Sequence, residues 1–367
     1  MDTLKQMAIK EDTFEGFLVF NSANLTYLTG FSGASALLIP KNGECRVYVY
    51  GVNYAHAQAE LSGFTVELVK HGENLMDKMA EQAAVLNIRK LAVDALNFES
   101  WRALSKALGS EKTLEVNSSF IWELRKVKDQ KEIELMRKAA ELTSQGMRVA
   151  YETVATGVRE YDVAAEIEYA MRKLGSSGTA FETIVASGAC SAYPHGGCSD
   201  KKIRKGDLVI VDIGATYKSY RSDMTRTFVA GKPSETQKKL YQIVKKAQET
   251  AFEALKPNVK VKDVDAAARK IIADAGYGEY FVHNLGHGVG LEVHEPPTLS
   301  PDSKDVLAVG NVVTVEPGVY IVGYGGIRIE DTVLVQRKDA EKLTNGLYAP
   351  AEPIKHSPIS NNKCPNV

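Results

Sequence analysis

Two segments of the chain share a pattern in which an apolar run carries one carboxylate. They are Gly206–Gly214, with the sequence GDLVIVDIG, and Gly310–Gly318, with the sequence GNVVTVEPG. The seventh position is Asp212 in the first segment and Glu316 in the second. Val and Ile crowd a helix but suit a pleated sheet, so each run predicts a buried strand that begins at a turn.

A second acid follows each of these strands. It is Asp223 in Ser222–Thr227 (SDMTRT) and Glu330 in Arg328–Thr332 (RIEDT). Each copy is therefore predicted to form a β-hairpin with one carboxylate on each strand. An unpaired carboxylate in an apolar strand costs several kcal/mol. Four such acids in two related hairpins need a shared cation, and a bound metal ion supplies one.

Four of the seven histidines fall between positions 195 and 294, and three of these belong to the glycine-rich stretch Phe281–Glu295. The i, i+4 spacing of His283 and His287 is that of a helical zinc motif, but the glycines argue against a helix. They do not form a dinucleotide-binding loop either, because no helix opens after them. An extended strand would let the imidazoles point into a site. For any single histidine a hydrogen-bonded core or surface role is the better explanation, but the cluster of His195, His283, His287 and His294 indicates a site.

Four carboxylates and one imidazole suit a pair of divalent ions such as Mn, Co, Fe or Zn. Two ions roughly 3.5–4 Å apart can share a bridging water, lower its pKa toward neutrality and polarise a carbonyl group. The residue types therefore predict metal-dependent hydrolysis.

The length of the chain, 367 residues, favours two domains over one core. Residues 1–124 are predicted to form an α/β domain that holds no catalytic constellation. Its predicted strands are Gly16–Asn21, Ala36–Pro40, Arg46–Tyr50, Thr65–Lys70 and Lys90–Asp94, and its predicted helices are Val52–Leu61, Glu73–Leu86 and Ser100–Leu108. Residues 125–345 are predicted to form the catalytic domain.

The catalytic domain is predicted to be an internal duplication. Two helices, a glycine, a His-bearing stretch and a carboxylate hairpin occur over 129–230 and again over 234–335. The predicted helices are Asp129–Tyr151, Tyr161–Leu174, Ser234–Leu255 and Asp263–Ala275, and Gly175 and Gly276 end the second and fourth of them. A pseudo-twofold axis between the halves would bring the hairpins face to face, with Asp212 over Glu316 and Asp223 near Glu330.

The composition is that of an ordinary soluble protein, with 44% apolar residues, 25% charged residues and a net charge of −1. We therefore expect neither nucleic acid nor a membrane as a partner. Residues 1–10 hold no long apolar stretch, so no signal peptide is expected. Four scattered cysteines are typical of a reducing cytoplasm. The segment 346–367 carries four prolines and is expected to be poorly ordered.

The order of these motifs resembles that of the Xaa-Pro peptidases, the aminopeptidase P and prolidase members of the methionine-aminopeptidase-like "pita-bread" superfamily. The motifs are D-x-G, S-D-x-T-R-T, G-H-G-x-G-L-x-x-H-E, V-E-P-G and R-I-E-D-T. The resemblance runs from residue 1 to about 344, because Asn24–Phe31 is similar to the N-terminal domain of that family. It implies an α/β N-terminal domain, an α+β pita-bread catalytic domain, two divalent metal ions and a peptide substrate with proline at the second position.

The resemblance also implies a role for each site residue. Asp212 would hold one metal, His287 and Glu316 the other, and Asp223 and Glu330 would bridge both. Glu316 would take the proton of the attacking water. By the same resemblance, His294 and His195 would occupy catalytic positions, with His294 stabilising the tetrahedral intermediate. His283 and Arg328 would occupy substrate-binding positions.

The sequence departs from the family in two places. Dedicated dipeptidases commonly place an Arg shortly after the H-E-x-P segment, where it meets the free carboxylate of proline, but Pro296–Asp302 holds no basic residue. Longer Xaa-Pro peptides are therefore plausible substrates. The Pro-rich segment after Thr344 is the other departure.

Four alternatives share part of the pattern. A non-catalytic peptide-binding relative or a metal-free creatinase-type hydrolase would be expected to lack ligands, and all five are present. A cysteine hydrolase would pair Cys198 with His195, but no third orienting group is evident. A methionine aminopeptidase would share the ligands but not the N-terminal domain. We expect a cytoplasmic homodimer.

Overall fold

The structure, a computed structural model, describes residues 14–348. The chain divides into two compact units between Arg125 and Lys126. The expectation about a signal peptide falls at the start of the chain, outside the described residues. The same holds for residues 349–367 of the Pro-rich segment.

The first unit is built on a six-stranded sheet with the strand order β4-β3-β2-β1-β5-β6. Pairs β1–β2 and β2–β3 are antiparallel, and pairs β3–β4, β1–β5 and β5–β6 are parallel. Alternate residues bury on opposite faces, with Phe17 in one apolar cluster and Leu18 in the other. The strands are β1 (Gly16–Val19), β2 (Ala36–Pro40), β3 (Arg46–Tyr50), β4 (Thr65–Val69), β5 (Lys90–Val93) and β6 (Thr113–Val116). The helices are α1 (Ser22–Thr29), α2 (Gly51–Glu60), α3 (Leu75–Val85), α4 (Phe98–Leu108) and α5 (Ser119–Lys126). This confirms the α/β class predicted for this part.

Three elements, α1, β6 and α5, lie outside the sequence predictions. In α1 the signal is in the caps. The Asn21 side chain accepts a hydrogen bond from the backbone N–H of Asn24, and Gly30 ends the helix with a φ of 73°. Leu, Tyr and Thr in between also suit a strand, so periodicity alone does not identify this helix.

Up to residue 348, the second unit contains four long helices, α6 (Gln130–Thr153), α7 (Glu160–Lys173), α8 (Glu235–Ala254) and α9 (Val261–Asp274). Capping boxes at Asp129 and Ser234 begin α6 and α8, as their sequences predict. Gly175 and Gly276 follow α7 and α9 with φ of 107° and 87°. These conformations favour glycine, so both predicted helix ends have a physical cause.

The strands of the second unit form two main sheets. One has the order β12-β9-β8 and the other β14-β13-β15-β18-β19, with smaller sheets β11-β10-β7 and β16-β17. The strands of the first half are β7 (Gly178–Thr179), β8 (Ile184–Ser187), β9 (Leu208–Ile213), β10 (Ala215–Tyr217), β11 (Tyr220–Arg221) and β12 (Met224–Val229). Those of the second half are β13 (Gly286–Gly288), β14 (Glu295–Leu299), β15 (Val312–Val315), β16 (Gly318–Ile321), β17 (Gly325–Arg328), β18 (Asp331–Val335) and β19 (Ala340–Lys342). The antiparallel trio β8, β9 and β12 thus recurs as β13, β15 and β18.

The two carboxylate hairpins meet along β12 and the segment Arg328–Thr332. The Thr227 hydroxyl donates to the Arg328 carbonyl, and the Thr332 hydroxyl donates to the Asp223 carbonyl. Each hydroxyl also accepts from the backbone N–H of the same partner. These reciprocal bonds are related by a local twofold, which confirms the predicted duplication.

The same bonds correct one detail of the predicted repeat. They make Thr227 the counterpart of Thr332, and hence Thr225 the counterpart of Glu330 and Asp223 that of Arg328. Asp223 and Glu330 lie close in space, but they do not occupy equivalent positions. A strand carries side chains of one face at every second residue, so a ligand can move two positions along it and still face the site.

Among residues 14–348, no helix combines the length and the apolar character that a membrane span requires.

Candidate active site

The four acids lie at the ends of the central strands of the second unit. Asp212 is in β9, Asp223 precedes β12, Glu316 follows β15 and Glu330 precedes β18. Asp212, Asp223 and Glu330 are buried, and Glu316 is partly buried. The paired strands bring acids that are distant in sequence to one place, as the hairpin interpretation requires.

His287 lies in β13, beside these acids. Its Nε2 is 3.3 Å from Glu316 Oε1 and 3.8 Å from Asp223 Oδ2. One ligand atom each from Asp223, His287 and Glu330 lies within 4.8 Å of the others, which is the spacing of a metal site. His287 Nδ1 lies 3.0 Å from the Gly288 carbonyl, an arrangement that leaves Nε2 of the same ring to act as a ligand.

Three buried carboxylate oxygens in this cluster have no hydrogen-bond partner among the described residues. They are Asp212 Oδ1, Asp223 Oδ1 and Glu330 Oε1. A buried carboxylate oxygen without a partner is strongly disfavoured, and a divalent cation satisfies several such oxygens at once. The donor set, oxygens with one imidazole nitrogen, fits a first-row divalent metal.

The shifted pKa values of these groups show that negative charge is concentrated in the cluster. Burial and the neighbouring Asp212 raise the pKa of Asp223 well above its usual range, and burial and Asp223 do the same for Glu330. Burial opposes a charge on His287, but Glu316 and Asp223 outweigh it and raise the pKa of His287 to about 9. Burial would raise the pKa of Glu316, yet its bond with His287 lowers that pKa to about 2. A cation among these groups would relieve their repulsion.

Arg328 is buried and every one of its nitrogens is engaged. Nη2 lies 2.5 Å from Asp212 Oδ2, Nη1 donates to the Pro194 carbonyl and the Tyr320 hydroxyl, and Nε donates to the Thr225 hydroxyl. Burial opposes its charge, but Tyr320, Asp212 and other acids raise the pKa of Arg328 well above its usual range. Arg328 therefore holds the site together and has little capacity left for a substrate carboxylate.

Three further histidines surround the cluster. His283 Nε2 lies 2.9 Å from the Tyr320 hydroxyl and Nδ1 lies 2.7 Å from the Asn284 carbonyl, and burial lowers the pKa of His283. The ring centroids of His294 and His287 are 4.3 Å apart, and burial followed by the charge of His287 lowers the pKa of His294. His195 lines the same cavity. All the histidines predicted to form a site thus lie around one cavity.

The cavity measures about 840 Å³. It combines the acids and histidines with an apolar wall that includes Phe181, Ile184, Tyr193 and Val293. Among the described residues that line it, Arg328 is the only Arg or Lys. Such a cavity accepts a small apolar or uncharged group beside a polar reaction centre.

The alternative Cys198–His195 hydrolase does not fit this geometry. The Cys198 thiol donates to the Thr183 carbonyl at 3.0 Å and accepts from the Val185 N–H at 3.2 Å. Burial raises the pKa of Cys198 to about 11, so the thiol is protonated at neutral pH and is a poor nucleophile.

Sequence reasoning missed Tyr320, whose hydroxyl bonds to both His283 and Arg328. It lies in β16, two residues beyond Gly318, and a polar aromatic residue in an otherwise apolar strand is the signal that points to it.

Comparison with known proteins agrees with this geometry. Residues 134–337 match the family "Metallopeptidase family M24", and residues 5–127 match the "Creatinase/Prolidase N-terminal domain". The chain is 41% identical over 336 residues to the Xaa-Pro dipeptidase of Pyrococcus horikoshii, covering 91% of this chain and 93% of that protein.

Solved structures agree as well. The prolidase from Pyrococcus horikoshii superposes with a TM-score of 0.87 at 39% identity, covering 94% of this chain and 98% of that chain. The X-Pro aminopeptidase from Thermotoga maritima gives a TM-score of 0.82 at 37% identity, covering 92% and 97%. The predicted pita-bread fold is confirmed, and the chain belongs to metallopeptidase family M24, which implies that it binds divalent metal.

Proposed function

We propose that the protein is an exopeptidase that hydrolyses the bond between an N-terminal residue and proline, using two divalent ions such as Mn, Co, Fe or Zn. The observation that carries this proposal is the set of partnerless buried oxygens of Asp212, Asp223 and Glu330 beside His287. The names of its relatives, Xaa-Pro dipeptidase and X-Pro aminopeptidase, support the substrate class.

The five ligands would be Asp212, Asp223, His287, Glu316 and Glu330, with Asp223 and Glu330 shared between the ions. When bound, the ions would polarise the scissile carbonyl and lower the pKa of a water molecule. These ligands must be deprotonated to bind, so loading with metal displaces protons from His287, Asp223 and Glu330.

The remaining steps belong to side chains of this chain. In the loaded site a cation would take the place of the His287 proton and keep Glu316 ionised, so Glu316 can accept the proton of the attacking water. His294, whose pKa is lowered, is a neutral imidazole that can donate an N–H to the developing oxyanion. His195 and His283 would contact the substrate. Arg328 would hold Asp212 in place, and direct contact between Arg328 and substrate remains a prediction.

The substrate class can be narrowed further. A dipeptide presents the carboxylate of its proline next to the scissile bond, whereas a longer peptide presents a neutral amide there. Within residues 14–348, the only arginine of the cavity wall is already engaged with Asp212, and Glu182 adds another acid to that wall. A carboxylate without a counter-charge is penalised, so we propose that Xaa-Pro-Yaa peptides are cleaved at least as well as Xaa-Pro dipeptides.

The other expectations remain proposals. They are a cytoplasmic location, a homodimer, a domain boundary between residues 124 and 125, and a poorly ordered segment after residue 345. Two alternatives are to be tested, a non-catalytic relative and a metal-free hydrolase. Because the ligand set is intact, a metal ion bound by either of them would play no part in catalysis.

The experiment is metal analysis of the purified protein combined with peptide assays. The protein would be stripped with a chelator, reloaded with Mn, Co, Fe or Zn, and assayed on Xaa-Pro and Xaa-Pro-Yaa peptides and on matched peptides with alanine in place of proline. The proposal predicts two metal equivalents and hydrolysis of the proline peptides alone. Full activity after stripping, or no hydrolysis under any metal, would refute it.

A further inference from the structure

One buried carboxylate holds both ends of the loop that carries His195. Glu160 is the first residue of α7 and is about 1% exposed. Its Oε1 accepts from the N–H and the hydroxyl of Ser187, at 2.8 and 2.6 Å. Its Oε2 accepts from the N–H and the hydroxyl of Ser199, at 3.1 and 2.6 Å. Ser187 ends β8, so Glu160 fixes both the departure and the return of the intervening loop.

This loop, residues 188–198, reaches the cavity at its middle. Tyr193, Pro194 and His195 line the cavity wall. The Pro194 carbonyl accepts from Arg328 Nη1 at 3.1 Å, one residue before His195. The position of the His195 ring therefore depends on how the two ends of the loop are held.

The second half of the duplication shows that the fold itself does not require an acid at this position. The counterpart of Glu160, the first residue of α9, is Val261. Val261 is fully buried in the apolar core of the second half. A buried glutamate is tolerated only with hydrogen-bond partners, and Glu160 has four of them, all supplied by the two ends of this loop.

We propose that Glu160 is a positioning residue that sets the place of His195 in the cavity. It acts through four hydrogen bonds to Ser187 and Ser199 and is not one of the residues that line the cavity. This proposal rests on the role proposed above for His195.

The test is a double-mutant cycle between Glu160→Gln and His195→Ala. Glu160→Gln is expected to lower kcat/KM by about tenfold to a hundredfold, the range for a displaced group near the chemistry. The dissociation constant for the metal, measured by calorimetry with Mn alone, should stay within about twofold of the wild type because the loop holds no ligand. Since Glu160 acts through His195, the double variant should be no less active than His195→Ala.

Matched controls come from the same region. Asp162→Asn removes an exposed acid of α7 that pairs with Arg159 instead of the loop, and it should leave activity unchanged. Ser199→Ala removes one of the four hydrogen bonds to Glu160 and should lower kcat/KM by a smaller factor. If Glu160→Gln does not fold, Ser199→Ala can replace it in the double-mutant cycle with His195→Ala.

Hydrogen exchange of residues 187–199 gives a readout that needs no activity. Faster exchange is expected in Glu160→Gln and in Ser199→Ala, with residues 281–285 unchanged. The proposal would be overturned if this loop exchanged as slowly in the variants as in the wild type. It would also be overturned if the losses in kcat/KM from Glu160→Gln and His195→Ala added in the double variant. Failure of the proposed function would give a different result. The wild-type protein would not cleave Xaa-Pro peptides, but residues 187–199 would still exchange faster in Glu160→Gln than in the wild type.

Discussion

Arg226 and Asp331 occupy corresponding positions in the two halves of the duplication and form a buried ion pair with each other. Arg226 Nη2 lies 2.8 Å from Asp331 Oδ1, and both side chains are about 1% exposed. Arg226 Nη1 also donates to the carbonyls of Thr225 and Glu330. The pair therefore joins β12 to the segment Arg328–Thr332, one residue along each strand from the face that carries Thr225 and Glu330.

The first prediction is that Arg226→Met destabilises the protein by about 3–5 kcal/mol, because it leaves a buried carboxylate with less compensating charge. Urea unfolding of the metal-free protein would measure the change in the free energy of unfolding. The control is Lys270→Met, which breaks an exposed pair with Asp274 and should cost at most about 1 kcal/mol. Equal losses in the two variants would show that the remaining partners of Asp331, among them Lys342 at 3.2 Å from Oδ2, compensate without Arg226.

The second prediction concerns the ligand set. Asp223→Ala or Glu330→Ala should abolish activity and lower the metal content, because each removes a carboxylate proposed to be shared between the two ions. Each should also leave the metal-free protein at least as stable as the metal-free wild type, because it relieves repulsion between buried acids. Glu316→Gln should reduce turnover far more than stability. Metal analysis, peptide assays and thermal unfolding measure the three effects, and variants that retain metal and activity would contradict this set.

The third prediction is that metal affinity rises with pH up to about 9. The pKa of His287 is raised to about 9 by Glu316 and Asp223 against the effect of burial. Only a neutral imidazole binds metal, so the proton displaced from His287 alone weakens binding about tenfold for each pH unit below this value, and protons displaced from Asp223 and Glu330 steepen the dependence. Calorimetry in two buffers with different enthalpies of ionisation would count the protons released. Affinity that does not change between pH 6.5 and 8.5 would contradict the prediction.

The same shift affects the stability of the metal-free protein. The pKa of His287 in the folded state lies above its ordinary value of 6.5, so the folded state binds more protons than the unfolded state between these values. The stability that His287 contributes is complete below pH 6.5 and is lost as pH rises through about 9. His287→Ala should make unfolding of the metal-free protein less dependent on pH in this window.

The fourth prediction is that Cys198 has no catalytic role. Its thiol is hydrogen-bonded, and burial raises its pKa to about 11. Cys198→Ala should therefore keep kcat/KM within about threefold of the wild type, and iodoacetamide at pH 8 should not modify Cys198 in the native protein. Mass spectrometry of the alkylated protein measures the second effect, with unfolded protein as the positive control. Loss of activity on alkylation of Cys198 would revive the cysteine mechanism.

The sequence indicates the hairpins well because their signal is local. The apolar runs before Asp212 and Glu316 favour strands, and the flanking glycines predict their limits. Buried acids in such runs have few physical explanations other than a cation. The helices of the second unit can be predicted equally well from the sequence. The caps at Asp129 and Ser234 and the glycines after α7 and α9 all act within a few residues.

What the sequence could not show depends on contacts between distant segments. The register of β12 against Arg328–Thr332 makes Thr225 the counterpart of Glu330, and no local pattern specifies that register. The ion pair of Arg328 with Asp212 likewise arises only when the halves close on each other. In the sequence, Glu160 looks like any acid at the start of a helix. Only the folded chain brings Ser187 and Ser199 into contact with it.

The last prediction concerns the length of the substrate. Thr298 is exposed, lines the cavity and lies in the segment after His294 that holds no basic residue. Thr298→Arg adds a cation beside the residue that follows the scissile bond and should shift preference toward dipeptides by about tenfold, if one partly exposed pair contributes near 1.4 kcal/mol. Values of kcat/KM for an Xaa-Pro dipeptide and for its C-terminal amide, measured in both proteins, give the shift directly. Ser300→Arg is the control, because it adds the same charge two residues further on. A wild-type enzyme that strongly prefers the free carboxylate would contradict the prediction, and it would mean that a cation from another source, such as a partner subunit, occupies this place.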